Sequence, residues 1–151
     1  GKIVGLVGGD QSTAYGHIKA VSERYGKIGI LHIDSGLDLR EGYHGFALSS
    51  DSVMFNVLRD IKGVERLVGV GVRAFAPAEW EMAINDPRIK LFTGQQMWSQ
   101  HFEGQCLVVV IKQMFIYLQQ TFFQSILLYG HRRSRNGSYG CNLRNIELQL
   151  Q

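Results

Sequence analysis

The first hundred residues alternate between short runs of apolar residues and longer segments in which apolar residues recur every three or four positions. Uninterrupted apolar runs predict buried strands, and the wider spacing predicts helices that bury one face. We expect strands at residues 3–7, 28–33, 67–72 and 89–92, and helices at about 12–25, 50–61, 77–84 and 94–101. Fully apolar strands separated by helices indicate a three-layer α/β/α fold with a mostly parallel sheet.

The same pattern sets the expected domain organisation. The alternation stops near residue 105, and the remainder is rich in glutamine, contains one acid, Glu147, and shows no clear period after Tyr129. The chain also opens directly on a predicted core strand, with no earlier element to cover its edge. We therefore expect residues 1–104 to form an incomplete α/β domain and residues 105–151 to form an atypical tail.

The formal charge of +3 says little about binding partners, because the excess of basic over acidic residues lies near the C-terminus. From Cys106 onward there are five basic residues and one acid, so the first 105 residues hold 11 basic and 12 acidic residues. Because the body of the chain has no excess of cations, a pI near 9.0 is weak support for a nucleic-acid partner. We expect none.

The cysteines and the most apolar stretch bear on the compartment. Cys106 and Cys141 form no close metal-binding pair, and two thiols suit a reducing compartment at least as well as a disulfide. No charged segment precedes an apolar stretch at the N-terminus. Residues 107–129 are interrupted by Lys112 and several glutamines, a poor pattern for a membrane span. We expect a cytoplasmic protein without a membrane partner.

Two polar clusters follow predicted strands, where ligands bind in open α/β sheets. Residues 8–12, Gly-Gly-Asp-Gln-Ser, can turn sharply at the glycine pair, and the plain alternative is a strand-to-helix turn capped by Ser12. After the second strand, Asp34, Gly36 and Asp38 share one face of an extended chain. Two carboxylates on one face repel each other unless a cation or proton lies between them. The alternative is a pair of solvated loop acids.

Two further clusters lie near helix starts. Residues 49–52, Ser-Ser-Asp-Ser, precede the second helix, and helix capping alone is sufficient to explain them. The third predicted strand ends in Gly69 and Gly71, which leave room on one face for a close neighbour. Arg73 and Glu79 follow, and surface charge beside a helix start is the simple account of both.

The order and spacing of these clusters resemble the arginase/agmatinase/formimidoylglutamase superfamily, the ureohydrolases. That family carries Gly-Gly-Asp-His-Ser after one strand, Asp-Ala-His-x-Asp-Leu-Arg after the next, Ser-His-Ala/Gly-Ser at a helix start and Val-Gly-Ile-Arg-Asp at a strand end. The chain matches at residues 8–12, 34–40, 49–52 and 70–73, and the resemblance covers about residues 3–100. It implies an arginase-like fold that hydrolyses guanidino or amidino C–N bonds at two Mn²⁺ ions.

The resemblance also implies metal ligands. Asp34 and Asp38 keep two carboxylate ligands of the manganese site, whereas Gln11 and Gly36 stand where the family has histidines. Glutamine offers Mn²⁺ only a weak, neutral oxygen and glycine offers no side chain, so both positions weaken the expected site. His32 is close but out of register, and a histidine on a buried strand is more often a core residue than a ligand.

Other positions are assigned roles in catalysis and substrate binding. Ser50 stands where the family has a proton-handling histidine, and a hydroxyl cannot shuttle protons near neutral pH as imidazole does. Glu79 resembles an acidic substrate-binding position, while Ala74 and Ala76 replace acids often found near it. The implied partner is a small guanidino or amidino substrate, without distinction between arginine, agmatine and formimidoylglutamate. The resemblance is also compatible with a homo-oligomer.

The family also carries a later strand that ends in Asp-x-Asp and supplies the remaining carboxylate ligands. Residues 101–151 contain no such motif. When residues 124–133 are back-translated and read one nucleotide later, the genetic code permits Lys-Val-Tyr-Phe-Ser-Met-Asp-Ile-Asp-Gly, which resembles that strand. We therefore hypothesise that the tail is a frameshifted reading of the family's C-terminal half.

The residues leave three functional hypotheses. The first is a ureohydrolase-family domain that is inactive or nearly so, because histidines of the metal site and of proton transfer are replaced. The second is a non-catalytic pseudoenzyme that serves as a binding or oligomerisation module. The third is an active hydrolase with a weakened single-metal site at Asp34 and Asp38. Stoichiometric Mn²⁺ with urea release would favour the third, and a metal-free, concentration-dependent oligomer would favour the second.

Overall fold

The computed structural model describes residues 5–7, 10–104, 107–119, 125–130 and 146–148. The strands in these ranges are β1 (Ile28–Ile33), β2 (Val64–Val72), β3 (Ile89–Thr93), β4 (Ser125–Gly130) and β5 (Ile146–Leu148). They form one sheet in the order β3-β2-β1-β4-β5. Only the β4–β5 pair is antiparallel, so the expected mostly parallel sheet is confirmed.

Helices cover both faces of this sheet. They are α1 (Ala14–Tyr25), α2 (Val53–Asp60), α3 (Pro77–Asn85), α4 (Gly94–Phe102) and α5 (Leu107–Gln119). One apolar cluster joins the sheet to α1, α2 and α3, and a second joins the opposite face to α4 and α5. The three-layer α/β/α architecture is therefore confirmed. Across the described ranges, every helix is too short or too polar to cross a membrane.

Strand β1 is apolar because both of its faces are buried. Ile28 and Ile30 belong to the cluster beneath α1 and α2, whereas Leu31 belongs to the cluster beneath α5. Side chains alternate along a strand, so His32 lies on the same side as Ile30. His32 is therefore the last buried side chain of this face before the strand ends at Ile33.

Short 3-10 turns precede two of the predicted helices. The turn Gln11–Thr13 leads into α1, and the turn Ser50–Ser52 leads into α2. Asp10, rather than Ser12, caps the first turn, because the Asp10 carboxylate accepts a hydrogen bond from the Ser12 backbone amide at 2.9 Å. The α-helices themselves begin at the first apolar residue after each turn.

Two strand predictions need correction. β2 begins at Val64, earlier than residue 67, because Val64 is buried and pairs with Ile28 despite the polar residues that follow it. The strand expected at residues 3–7 does not extend through residues 5–7, which have no regular structure, and Val7 is 80% exposed. Apolar character alone does not produce a strand without a partner. Residues 3–4 and the glycines at 8–9 lie outside the described residues.

Parts of the expected tail belong to this fold. Met114 and Leu118 of α5 are buried against the sheet. β4 pairs in parallel with β1 over its full length, and its last residue, Gly130, lies opposite Ile33. A helix and a strand therefore continue past residue 104, and the boundary expected there stays a prediction.

The carboxyl ends of β1 and β2 meet at one edge of the sheet, and the loop that follows β1 crosses this edge. The Ser35 carbonyl accepts hydrogen bonds from the amides of Arg73 and Ala74, both at 2.9 Å. Gly71 allows the close approach because it adopts a left-handed conformation, with φ at +80°. The two loops are therefore pinned side by side where the predicted ligands lie.

Candidate metal centre

Asp34, the first residue beyond β1, is central to the polar cluster at this edge. Its backbone amide extends the ladder to the Val70 carbonyl at 3.1 Å, which fixes the start of the loop. Its Oδ1 atom accepts hydrogen bonds from the Gly36 amide at 3.0 Å and the Ser35 hydroxyl at 3.1 Å. The local turn thus holds one carboxylate oxygen and leaves Oδ2 to face a neighbouring element.

Gln11, from the turn before α1, occupies that second oxygen. Its Nε2 atom donates to Asp34 Oδ2 at 2.5 Å, and Gln11 is 2% exposed. An ionised carboxylate can only accept hydrogen bonds, so the amide must present its NH₂ group. The structure brings Gln11 and Asp34 together as expected, but Gln11 faces the carboxylate with a donor.

His32 and Asp38 form the second contact of the cluster. His32 Nε2 and Asp38 Oδ2 lie 3.2 Å apart, and both residues are buried. This distance suits an ion pair, yet neither atom has a well-aligned hydrogen bond to any residue in the described ranges. Ligand atoms of His32, Asp34 and Asp38 all lie within 4.8 Å of one another. The alternative of two solvated loop acids is therefore excluded.

The pKa values of this pair reflect burial and proximity. Burial by itself lowers the pKa of His32, but the adjacent Asp38 and the charge of Asp34 outweigh it and raise the pKa above its ordinary value. Burial raises the pKa of Asp38, and the neighbouring His32 offsets this only in part. Both shifts follow from the burial of two acids and an imidazole next to one another.

Gly36 lies between the two carboxylates. A Cβ atom at this position would sit 2.7 Å from Asp38 Oδ1 and 4.0 Å from Asp34 Oδ1. Position 36 therefore faces both acids, as the family resemblance implies for a ligand. Without a side chain, Gly36 contributes no ligand atom, and Asp38 Oδ1 occupies the space that a side chain would need.

The backbone of Asp38 connects the cluster to α2. Asp38 adopts a left-handed conformation with φ at +56°, which aspartate tolerates better than most residues. Its carbonyl accepts hydrogen bonds from the amides of Met54 at 3.0 Å and Phe55 at 3.2 Å. These are amides of the first turn of α2, which have no partner within the helix. The loop and the helix start therefore hold each other in place.

Ser50, the residue at the family's proton-handling position, begins the turn before α2. Its hydroxyl donates to Asp51 Oδ1 at 3.3 Å. Ser49 and Ser52 form the capping box before α2: Ser52 Oγ accepts from the Ser49 amide at 2.8 Å and donates to the Ala47 carbonyl at 2.7 Å. The structure thus supports the capping interpretation of residues 49–52, and it pairs the Ser50 hydroxyl with a carboxylate.

Glu79, the expected substrate-binding residue, is 4% exposed. Its Oε1 atom accepts from the Leu39 amide at 3.1 Å, and its Oε2 atom accepts from the Ala76 amide at 2.7 Å. Arg40 Nε approaches the same Oε2 atom at 3.4 Å. These contacts hold the loop after β1 against the start of α3. Simple surface charge is excluded for Glu79, and its role toward a substrate stays a prediction.

His32 is the site residue that sequence reasoning placed in the core. The available signal was its spacing, since His32 and Asp34 are two residues apart at a strand end and so share a face. The cluster also requires the loop after β1 to fold Asp38 back toward the strand. The spacing of His32 and Asp34 does not predict that fold of the loop.

The residues that the structure describes do not fit two manganese ions. Of the family's ligand positions, Gln11 turns an amide donor toward Asp34, and Gly36 carries no side chain. What remains is one imidazole and two carboxylates, all buried. Such a set can hold a proton or one cation, and it has too few ligands to hold two.

Comparison with known proteins agrees with the fold. A family model described as "Arginase family" matches residues 1–118. Agmatinases of Bacillus cereus and Bacillus anthracis are each 32% identical over 77 residues, which is 51% of this chain and 26% of the agmatinase. The chain thus spans about a quarter of the length of these curated relatives.

Solved structures share the fold at lower sequence identity. Formimidoylglutamase from Bacillus subtilis subsp. subtilis str. 168 has a TM-score of 0.69 and 22% identity, over 83% of this chain and 37% of that one. Arginase from Bacillus cereus has a TM-score of 0.61 and 24% identity, over 76% and 43% respectively. At these identities the likeness shows a common architecture.

Proposed function

Because the chain belongs to the arginase family, we propose that it is a ureohydrolase-family domain that does not hydrolyse guanidino or amidino C–N bonds. One observation carries the proposal: the Gln11 side-chain amide donates to Asp34 Oδ2 at the place where the family resemblance puts an imidazole ligand. The residue at a metal-ligand position of the family instead donates a hydrogen bond to a carboxylate that would bind the ion.

The energetics of ligand exchange support this proposal. In the family, a manganese pair lowers the pKa of a bound water and positions it for attack. For a cation to bind Asp34 Oδ2 here, the Gln11 amide must first leave a buried, charge-assisted hydrogen bond, an interaction worth about 1.5–3 kcal/mol. Gly36 cannot offset this cost, because it has no side-chain atom that could bind the ion. The site therefore opposes the occupancy that the family reaction needs.

The loss of a proton-transfer group at position 50 supports the proposal independently. Ser50 stands at the family's proton-handling position, and its hydroxyl is engaged with Asp51. A serine hydroxyl exchanges protons far less readily near neutral pH than an imidazole does. A variant with a repaired metal site would still lack this group.

The assay follows from the names of the similar proteins, which are agmatinase, formimidoylglutamase and arginase. The full chain is incubated with Mn²⁺ and with agmatine, formimidoylglutamate or arginine, and NMR follows the loss of each compound. We expect no loss beyond that in the double variant Asp34→Asn/Asp38→Asn, which keeps the shape of both side chains. Hydrolysis by the natural chain that this double variant abolishes would show that the proposal is wrong.

A binding or oligomerisation module is the second candidate function. Trp98 and Phe102 of α4 are 62% and 83% exposed, and large exposed aromatic side chains are enriched where proteins associate. Analytical ultracentrifugation over a range of concentrations tests this candidate, with Trp98→Ala as the variant. A monomer at every concentration would count against self-association.

A further inference from the structure

We propose that the carboxyl end of β1 is held together without metal, because Gln11 and His32 serve as the partners of Asp34 and Asp38 in place of cations. The residues that do not fit a manganese pair would then form a structural cluster of hydrogen bonds and one ion pair. This role rests on the proposed function and deepens it, because it states what the same residues contribute to the fold.

Asp34 has a full set of partners within the chain. Its Oδ2 atom accepts from Gln11 Nε2 at 2.5 Å, and its Oδ1 atom accepts from the Gly36 amide at 3.0 Å and the Ser35 hydroxyl at 3.1 Å. Three donors on two oxygens replace the hydration that burial removes from a carboxylate. Hydrogen bonds to a charged group are also stronger than those between neutral groups. Asp34 therefore needs no cation.

Asp38 faces an imidazole. Its Oδ2 atom lies 3.2 Å from His32 Nε2, and both residues are buried. The two atoms are close enough for a single proton to serve both after a small side-chain rotation, whichever atom carries it. When one member of such a buried pair is removed, the other is left in the interior without a partner. The stability contributions of His32 and Asp38 should therefore depend on each other.

Gly36 provides the space that this pair needs. A Cβ atom at position 36 would lie 2.7 Å from Asp38 Oδ1, which is closer than van der Waals contact allows. A side chain there would push the Asp38 carboxylate out of its position beside His32. The glycine that removes a ligand position of the family thus also allows Asp38 to reach the imidazole.

The cluster attaches two helices to the end of β1. Gln11 belongs to the turn before α1, and its side chain binds the first residue after the strand. The Asp38 carbonyl accepts from the Met54 amide at the start of α2 at 3.0 Å, while the Asp38 side chain faces His32 of β1. These contacts come from the chain alone, so the folded state should gain nothing from a divalent cation.

Thermal unfolding of the full chain tests this independence from metal. The melting temperature is measured in a chelator and again in excess Mn²⁺. We expect the two values to agree within about 1 °C, because an ion stabilises a protein only when it binds the folded state more tightly than the unfolded state. A rise in the melting temperature with Mn²⁺ that Asp34→Asn abolishes would overturn the proposal.

Variants measured in the chelator test the pair itself. His32→Leu should lower the melting temperature by about 6–20 °C, because it leaves a buried carboxylate without a partner. Adding Asp38→Asn should recover most of that loss, since asparagine is uncharged and tolerates the same positive φ. The control His101→Leu, on the exposed surface of α4, should leave the melting temperature unchanged. A double variant less stable than His32→Leu would show that the two residues are not partners.

Gly36→Ala keeps the test decisive if His32→Leu does not fold. It should lower the melting temperature by several degrees if His32 holds the Asp38 carboxylate in place, whereas a carboxylate free to move would avoid the added methyl group. A Gly36→Ala variant as stable as the natural protein would therefore also overturn the proposal. None of these measurements uses a substrate. Independent effects of His32 and Asp38 would remove only the structural pair, whereas hydrolysis of a guanidino compound would remove the proposed function.

Discussion

The Glu79 carboxylate accepts a hydrogen bond from the Leu39 backbone amide at 3.1 Å, and so joins the loop after β1 to α3 across 40 residues of sequence. The same carboxylate accepts from the Ala76 amide at 2.7 Å. Both of its oxygens are therefore engaged by backbone donors. A residue that resembles a substrate ligand has a structural role in holding the loop that carries Asp34 and Asp38.

This relationship predicts that Glu79 matters for stability. Glu79→Ala leaves two backbone amides without their acceptor and should lower the free energy of unfolding by about 2–4 kcal/mol. Urea denaturation measures the loss. Glu81→Ala, an exposed neighbour on α3, should change the stability by less than about 0.5 kcal/mol. If Glu79 served only a substrate, both variants would be as stable as the natural protein.

Gly63 supports a second prediction, about the packing between α1 and β2. A Cβ atom at Gly63 would overlap Ser22 Oγ and the Gly26 carbonyl oxygen. Gly63→Ala should therefore lower the free energy of unfolding by about 1–3 kcal/mol, the range seen for overpacking. The overlap with a backbone oxygen means that Ser22→Ala should not rescue the variant.

Gly16 provides the matched control for that substitution. It lies within α1, and a Cβ atom there would have no atom within 4 Å. Gly16→Ala should raise the free energy of unfolding by about 0.5–1 kcal/mol, because alanine restricts the unfolded chain and favours helix. Opposite signs for the two variants, measured by the same denaturation assay, are the expected result. Equal effects would contradict the close packing at Gly63.

The pair formed by Asp86 and Arg88 predicts a pH dependence. Partial burial raises the pKa of Asp86, but hydrogen bonds and the charge of Arg88 outweigh it and lower the pKa below the ordinary 3.8. The Arg88 guanidinium lies 2.7 Å from Asp86 Oδ2 and also donates to the Leu58 carbonyl. A lowered folded-state pKa gives stability that is present above the unfolded pKa and is lost as pH falls through the folded pKa.

The measurement compares the natural protein with Asp86→Asn from about pH 6 to about pH 2.5. The stability advantage of the natural protein should be constant at the upper end and should shrink below the ordinary pKa of an aspartate. In an Arg88→Gln background the difference should vary much less with pH. A difference that grows on acidification would show that the sign of the shift is wrong.

The fold could be predicted from sequence because its signals are local. The run from Ile28 to Ile33 is apolar since both faces of β1 are covered, and Gly26 ends α1 where the periodicity stops. The prediction of a buried strand at residues 3–7 was wrong at Val7, which is exposed in the structure. A buried strand needs a neighbour, and the presence of that neighbour is not a local property of the sequence.

The candidate site was predictable only in part, for a related reason. The rule that residues two apart share a face holds for an extended chain, and it placed Asp34 and Asp38 on one side. The loop is not extended throughout, because Asp38 has a positive φ and folds its carboxylate back toward His32. The contact of Glu79 with Leu39 was not predictable from spacing either, since it depends on how α3 packs against the loop.

Strand β4 gives the frameshift hypothesis a structural test. β4 runs parallel to β1, and Gly130 lies opposite Ile33, one residue before Asp34. Residues at the carboxyl ends of neighbouring parallel strands meet at the same edge of a sheet. A strand with Asp-x-Asp at its end would therefore deliver its acids beside Asp34, and the frameshifted reading places the first of them at position 130.

The hypothesis makes a strict prediction about the coding DNA. Read one nucleotide later, the glycine codon at position 130 and the first base of the histidine codon give aspartate only if the glycine codon is GGA. The second aspartate requires that Arg132 be encoded by CGA or AGA and that the next codon begin with C. Sequencing the gene decides the matter, because any other glycine codon at position 130 places a different residue at the edge beside Asp34 and ends the hypothesis. If both conditions hold, restoring the frame should add two carboxylates beside the cluster of His32, Asp34 and Asp38 that the described part of the present chain forms.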